Sequence, residues 1–289
     1  MMRKPILALF AALLMTTGAA ARERLGDTLR AMTYNIRLDL ASDGANAWPH
    51  RKEMVAALIR REAPDLLGMQ EMLAGQKRDL KKALPEYQLV GVARDDGREK
   101  GEYSSLAFRR TRFALLDSGT FWLSETPSVP SKGWDAAYPR IATWAVLRDR
   151  RSHRQIRVVN THFDHVGVVA RRETAVQLLR WLGKGTRAGL PTILMGDFNS
   201  TPDDPGYRLL ADTKTSRLRD ARLASQTPAY GPPGTFNAFK FDSDAPAPID
   251  HIFVAKQFAV EDYAVITQHW GGRLPSDHYP VAVDLILDK

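Results

Sequence analysis

The sequence contains no cysteine. That excludes disulfide bridges, thiolate metal sites, cysteine nucleophiles and thiol redox chemistry. A chain of 289 residues without a covalent staple must be held by its core alone, and at this length the buried fraction of the surface suffices for that. Beyond the N-terminus no segment has the ~20 uninterrupted apolar residues of a membrane-spanning helix. Neither a Gly-x-Gly-x-x-Gly segment nor a Walker-type glycine–lysine loop is present, which removes dinucleotide-dependent dehydrogenases and P-loop kinases from consideration. No short repeat, low-complexity linker or shift in composition divides the chain. With 44% hydrophobic and 26% charged residues it reads as globular rather than disordered.

Residues 1–21 read as a secretory signal peptide. Met1-Met2-Arg3-Lys4 is basic, Ile6 to Met15 is apolar, and Gly18-Ala19-Ala20-Ala21 supplies small residues for cleavage. The expectation is an exported (periplasmic or secreted) chain, with no stable membrane span after cleavage, a single domain over 24–289 and a monomeric state. The net charge of +8 falls to about +6 once Arg3 and Lys4 are removed. Such an excess attracts polyanions: nucleic acid, phosphorylated sugars or anionic lipid heads.

Alternation predicts strands at 29–36, 65–69, 87–92, 105–109, 113–116, 141–147, 155–160, 191–195, 249–254, 258–267 and 281–287. Apolar spacing of three and four predicts helices over 51–62, 76–84 and 170–182; Pro64 and Pro85 end the first two. A helix is also expected over 201–210, with Thr201-Pro202 as cap and first-turn proline. Residues 126–139 and 226–248 read as long loops. Mixed strands and helices over this length suggest packed sheets with helices outside.

Polar residues fall at strand ends: Asn35, Glu71, His162, Asp197 with Asn199, Asp250, and Asp277-His278. Each alone is an ordinary turn residue. Converged, they form a cluster of carboxylates, carboxamides and imidazoles. Hard divalent cations prefer oxygen ligands, which suits Glu71 with Asn35 and Asp277. A carboxylate such as Asp197 can take a proton from attacking water, its geometry set by Asn199. His278, held protonated by a carboxylate such as Asp250, can donate to phosphoryl oxygens. Arg140 suits a phosphate clamp. Asp164 and His165 read as loop residues, and His251 should point away from Asp250 across its strand. Trp122, Trp134 and Tyr138 either stack on a base or sugar or pack the long loop.

Six segments occur in order: Thr33-Tyr34-Asn35-Ile36, Met69-Gln70-Glu71, Asn160-Thr161-His162, Gly196-Asp197-Phe198-Asn199, Ile249-Asp250-His251-Ile252 and Ser276-Asp277-His278-Tyr279-Pro280-Val281. Together they resemble the endonuclease/exonuclease/phosphatase superfamily, which includes deoxyribonuclease I, over nearly the whole mature chain. Gly101 to Ser105, Gly119 to Pro127 and Gly133 to Arg140 look like an exported bacterial subgroup of it. The resemblance implies an α/β (α+β) four-layer sandwich, with two β-sheets packed face to face and helices on both outer sides. It implies Glu71 as the main ligand of Mg²⁺ or Mn²⁺, with Asn35 nearby and Asp277 in support. It further implies Asp197 as general base, Asn199 on the phosphate, His278 on the scissile phosphate oriented by Asp250, and His162 as the catalytic histidine of phosphodiesterase members. The expected function is therefore metal-dependent hydrolysis of phosphate esters, phosphodiesterase- or nuclease-like. Sphingomyelinase-like or inositol-phosphate-phosphatase-like activity, and a non-catalytic binding module, are the alternatives. The partners that follow are a phosphate-ester substrate, nucleic acid or phospholipid.

Overall fold

The computed structural model describes residues 28–288, so the expected signal peptide at 1–21 lies outside the described residues. In chain order the strands are β1 (Leu29–Asn35), β2 (Leu66–Met72), β3 (Tyr87–Val90), β4 (Tyr103–Arg109), β5 (Phe113–Trp122), β6 (Ile141–Asp149), β7 (Gln155–His162), β8 (Thr192–Asp197), β9 (Leu218–Asp220), β10 (Asp250–Ala255), β11 (Phe258–Val265) and β12 (Val281–Leu287). The α-helices are α1 (Lys52–Glu62), α2 (Ala74–Ala83), α3 (Val168–Leu182), α4 (Pro205–Ala211) and the single turn α5 (Ala221–Ala224). Two six-stranded mixed sheets result, ordered β11-β12-β1-β2-β4-β3 and β5-β6-β7-β8-β10-β9.

Strand alternation builds the layers. Along β1, Leu29 and Ala31 join the core between the sheets, whereas Met32 and Tyr34 face α1 and α2. Helix α1 buries Val55, Ala56, Leu58 and Ile59 against that outer face. On the other side α3 buries Ala175, Leu178 and Leu182, and the main core runs from between the sheets to beneath α3 and α4. This is the expected four-layer sandwich.

A polar clamp joins the sheets. Asn160 of β7 reaches across to accept from Gln70 Nε2 at 2.6 Å and to donate to Met69 O at 3.0 Å and Ser105 O at 2.8 Å. Gly68 leaves room for it, since a Cβ there would lie 2.6 Å from Asn160 Oδ1.

Several boundaries differ from expectation, each for a local reason. Strand β2 runs on to Met72 through a bulge after Met69. Helix α2 begins two residues early because Gln76 Oε1 accepts from Leu73 N and closes its first turn. Thr201-Pro202 does not open a helix. Asp204 Oδ2 instead accepts from Thr201 N and Oγ1, and α4 starts at Pro205. Strand β5 extends to Trp122 along β6, well past the expected 113–116. The short β9 and α5 carry too little periodicity to be seen in sequence. Among the described residues no helix is long and apolar enough to cross a membrane.

Candidate active site

Register places three of the polar strand ends in a row. His162 of β7 pairs with Asp197 of parallel β8, and Asp197 pairs with Asp250 of antiparallel β10. Directly paired residues share a face, and this face looks toward the first sheet. Gly196 permits the approach: a Cβ there would lie 2.1 Å from Thr161 O. His251, one residue on, faces the other way, where its Nε2 meets Ser200 O at 2.8 Å and its ring packs on Tyr207.

Asp197 sits at the centre. Its Oδ1 accepts from Asn199 N at 2.9 Å and its Oδ2 from Asn35 Nδ2 at 2.9 Å. Asn35 ends β1 and also donates to Glu71 Oε1 at 3.0 Å, so one carboxamide links the two acids. Its oxygen accepts from Arg37 N. The amide therefore presents nitrogen to the carboxylates, and a cation would meet its oxygen only after rotation.

His278 arrives from the segment before β12. Its Nδ1 lies 2.9 Å from Asp250 Oδ2, and its Nε2 lies 3.8 Å from Asp197 Oδ2. Burial alone would lower its pKa, but Asp250, then Asp197 and Asp277, outweigh it and hold the imidazole well above its usual value. These carboxylates favour the charged form of His278, with Nδ1 engaged by Asp250 and Nε2 turned toward Asp197. Burial and neighbouring Asp250 push the Asp197 carboxyl up to about 7, against the pull of His278 and the bonds from Asn35 and Asn199. His162 behaves in the opposite way. Burial, with Arg140 and Arg94 nearby, holds it well below the ordinary imidazole range. Neutral, its Nε2 accepts from Asn199 Nδ2 at 3.1 Å while its Nδ1 faces Glu102 Oε2 at 3.8 Å.

This arrangement matches a known one. A model of the Endonuclease/Exonuclease/phosphatase family matches residues 32–278. The chain belongs to this family. A family member of known structure from Bacteroides thetaiotaomicron is 37% identical, with a TM-score of 0.87 over 91% of this chain and 98% of that one. The mannosyl-6-phosphatase of Bacteroides thetaiotaomicron VPI-5482 is 38% identical, with a TM-score of 0.85 over 90% of this chain and 100% of that one. An uncharacterized protein of Acanthamoeba polyphaga mimivirus is 30% identical over 57% of this chain, a match spanning 62% of the viral protein's own length.

Among the described residues one group brings carboxylates and an imidazole close enough to hold a cation. Asp197, Asp250 and His278 bring ligand atoms within 4.8 Å of one another, but the Asp250–His278 bond already uses His278 Nδ1. Glu71 and Asp277 offer hard oxygens instead. Arg37 bridges them, with Nη1 3.9 Å from Glu71 Oε2 and Nε 3.8 Å from Asp277 Oδ2. Burial raises the Asp277 carboxyl, as does Glu71 beside it, while His278 and Arg37 draw it down. Glu71 reaches this place only because its φ is 60° at the β2 bulge. Strict alternation would have turned it with Leu67 and Met69 toward the helices.

Arg140 is buried near His162. Its Nε donates to Asp164 Oδ2 at 3.1 Å, and its Nη2 lies 2.9 Å from His165 Nδ1. Its Nη1 is buried without a partner. Asp164 and His165 lie in a loop, as expected, and hold Arg140. Although burial opposes it, N–H groups of Gly167 and Ala137 and the Arg140 guanidinium keep the Asp164 carboxyl well below the usual carboxylate range. Tyr138 stacks on His165 with centroids 6.0 Å apart, whereas Trp122 is buried and donates to Arg94 O.

Three contributors lay outside the sequence reading. Glu102, paired with Arg94 at 2.8 Å, faces His162. Arg51 is fully buried and donates to the carbonyls of Ile36, Arg37, Leu38, Asn46 and Pro275, which fixes the turn after Asn35. Nothing in local spacing marked these residues. A buried arginine shows itself only through the carbonyls it gathers.

Proposed function

We propose that this chain is an exported, monomeric phosphoesterase dependent on Mg²⁺ or Mn²⁺, in which Asp197 activates water and His278 stabilises the phosphate. The observation that carries this reading is the buried Asp250–His278–Asp197 row: an imidazole drawn toward its charged form and a carboxylate of near-neutral pKa face the same space. A general base works best with a pKa near the operating pH. In the reaction the water oxygen bonds to phosphorus, one water proton passes to Asp197, the P–O bond to the alcohol breaks, and the departing oxygen is protonated from solvent. His278 Nε2–H donates to a phosphoryl oxygen as its charge grows. Asn199 and Asn35 hold the base, and Arg140, buried with its Nη1 unpartnered, would add a second donor to the phosphate. Glu71 and Asp277 are the residues that would hold the cation, which when bound would supply positive charge to the phosphate and the leaving oxygen, while Asn35 keeps its nitrogen on the two acids.

For the substrate, a phosphorylated sugar is supported by the 38% identical mannosyl-6-phosphatase, which is matched over its whole length. The test is turnover by the purified chain with Mg²⁺ or Mn²⁺. The panel is mannose 6-phosphate, inositol phosphates, p-nitrophenyl phosphate, bis-p-nitrophenyl phosphate, DNA, RNA and sphingomyelin, with Asp197→Ala in parallel. Monoester turnover abolished by the substitution is expected. Preference for bis-p-nitrophenyl phosphate or nucleic acid would replace the sugar reading by the diesterase one. No turnover on any member would leave a binding module.

A further inference from the structure

The 123–140 segment between β5 and β6 serves two places. Its end brings Tyr138 and Arg140 to the active site. Earlier, it brings Trp134 to a groove of about 660 Å³ against α3, a volume within the ~300–1,000 Å³ of small-ligand sites. We propose that this groove is a saccharide-binding site, separate from the catalytic centre.

Three aromatic rings, Phe121, Trp134 and Trp181, line it. Phe121 and Trp181 stand 5.1 Å apart at 33°. Trp181 is braced from behind by Trp144 at 5.7 Å and by the Arg157 guanidinium 5.2 Å over its ring, so it cannot fold away to close the groove. Sugar rings bury their C–H faces on such fixed aromatic surfaces.

Polar groups beside the rings narrow the ligand class. Gln177 is pinned by its Nε2, which donates to Trp122 O and Ser124 O, yet its Oε1 is buried without a partner. A buried acceptor left unpaired costs about 1–3 kcal/mol; it is closed to solvent in the free protein, so a ligand hydroxyl relieves it only if the amide turns toward the groove. The charges in the lining balance: Glu125 and Glu173 against Arg180 and Lys184. A polyanion would meet those two carboxylates, whereas a neutral, hydroxylated ring meets none of that repulsion.

The backbone of Trp134 points the same way. Its φ is 48°, a left-handed conformation that an aromatic residue rarely adopts. The segment is held there from both sides. A Cβ on Gly133 would lie 2.5 Å from Leu123 O, and the Asp135 carboxylate accepts from Val169 N and Ala170 N at the start of α3. The indole is thus kept at the groove at a backbone cost that is not recovered by full burial, since Trp134 stays partly exposed. Strain of this kind clusters at ligand sites.

The test is titration of the full chain with mannohexaose, maltohexaose and cellohexaose, followed by tryptophan fluorescence and calorimetry, with a dT oligonucleotide as comparator. At least one hexaose should bind, and about tenfold or more weaker to Trp134→Gly and to Gln177→Met. Hydrolysis of p-nitrophenyl phosphate should be unchanged in both variants. Because glycine relieves the positive φ, Trp134→Gly should keep or raise the melting temperature, which an indole serving only to pack the loop would not allow. No hexaose binding, equal binding by the variants, a lowered melting temperature of Trp134→Gly, or tighter binding of the oligonucleotide would each overturn the proposal. Failure of the catalytic reading would leave these results untouched.

Discussion

Asn160→Ala should destabilise the protein more than most single substitutions. Asn160 makes three bonds across the sheet interface, with Gln70 Nε2, Met69 O and Ser105 O. All of these lie in the buried core, where water cannot replace the lost partner. At about 1 kcal/mol net per bond, rising where a buried group is left unsatisfied, the loss is about 3–4 kcal/mol. A change of that size is a large part of the ~5–15 kcal/mol that holds a typical domain. At roughly 2–4 °C per kcal/mol for a chain of this size, the melting temperature should fall by about 10 °C. Calorimetry and urea unfolding measure this directly. A second arm isolates the cause. Gly68→Ala in the wild-type background forces a Cβ to 2.6 Å from Asn160 Oδ1. In the Asn160→Ala background that contact is gone, so the two changes should couple by about 1–3 kcal/mol. A loss under about 1 kcal/mol for Asn160→Ala, or simple additivity in the cycle, would refute the clamp.

Asp250→Asn should lower kcat by about 10²–10³-fold with a smaller change in KM, measured with a phosphate monoester; a loss under threefold would contradict a charged His278 donor. The same variant has a pH signature. A raised histidine stabilises fully below its ordinary pKa of about 6.5, and that stabilisation is lost as pH rises through the folded value. Asp250→Asn should flatten this slope in unfolding measurements. Glu71→Gln should abolish Mn²⁺ binding in calorimetry without a change in secondary structure by circular dichroism; undiminished affinity would move the cation to the Asp197–Asp250–His278 group. Asp164→Ala leaves Arg140 buried and short of its partner, so stability should drop by about 3–5 kcal/mol in urea unfolding. The depressed Asp164 carboxyl contributes stability present above the ordinary carboxylate pKa and lost as pH falls through its folded value. The wild type should therefore lose stability in acid more steeply than the variant, and parallel curves would argue against the clamp.

Much of the fold was legible because alternation and helical spacing are local. The strand ends at Asn35, His162, Asp197 and Asp250 were visible as polar residues terminating apolar runs. Their partners were legible only in part. Asn199 was expected to set the geometry of Asp197, and its backbone N–H does donate there, but that its side chain turns to His162 was not visible. Asn35 reads as a metal-side carboxamide, yet it presents its nitrogen to two carboxylates. Asp164 and His165 lie in a loop, as expected, but that they hold Arg140 was not visible. Orientation and partnership depend on residues distant in the chain, and no local pattern encodes them.

By itself the sequence determined the elements, the family and the identity of the polar groups, since these follow from periodicity and from ordered motifs along one chain. The Asp250–His278 pair was expected from the motifs, but only the tertiary structure decided the other partnerships. Register set His162, Asp197 and Asp250 side by side, and a bulge with one left-handed residue turned Glu71 from the helices to the site. Burial then separated two histidines of the same chemistry, one favoured neutral beside arginines and one favoured charged beside aspartates. The physical reason is that a side chain's charge is set by the low-dielectric surroundings and neighbours that folding supplies.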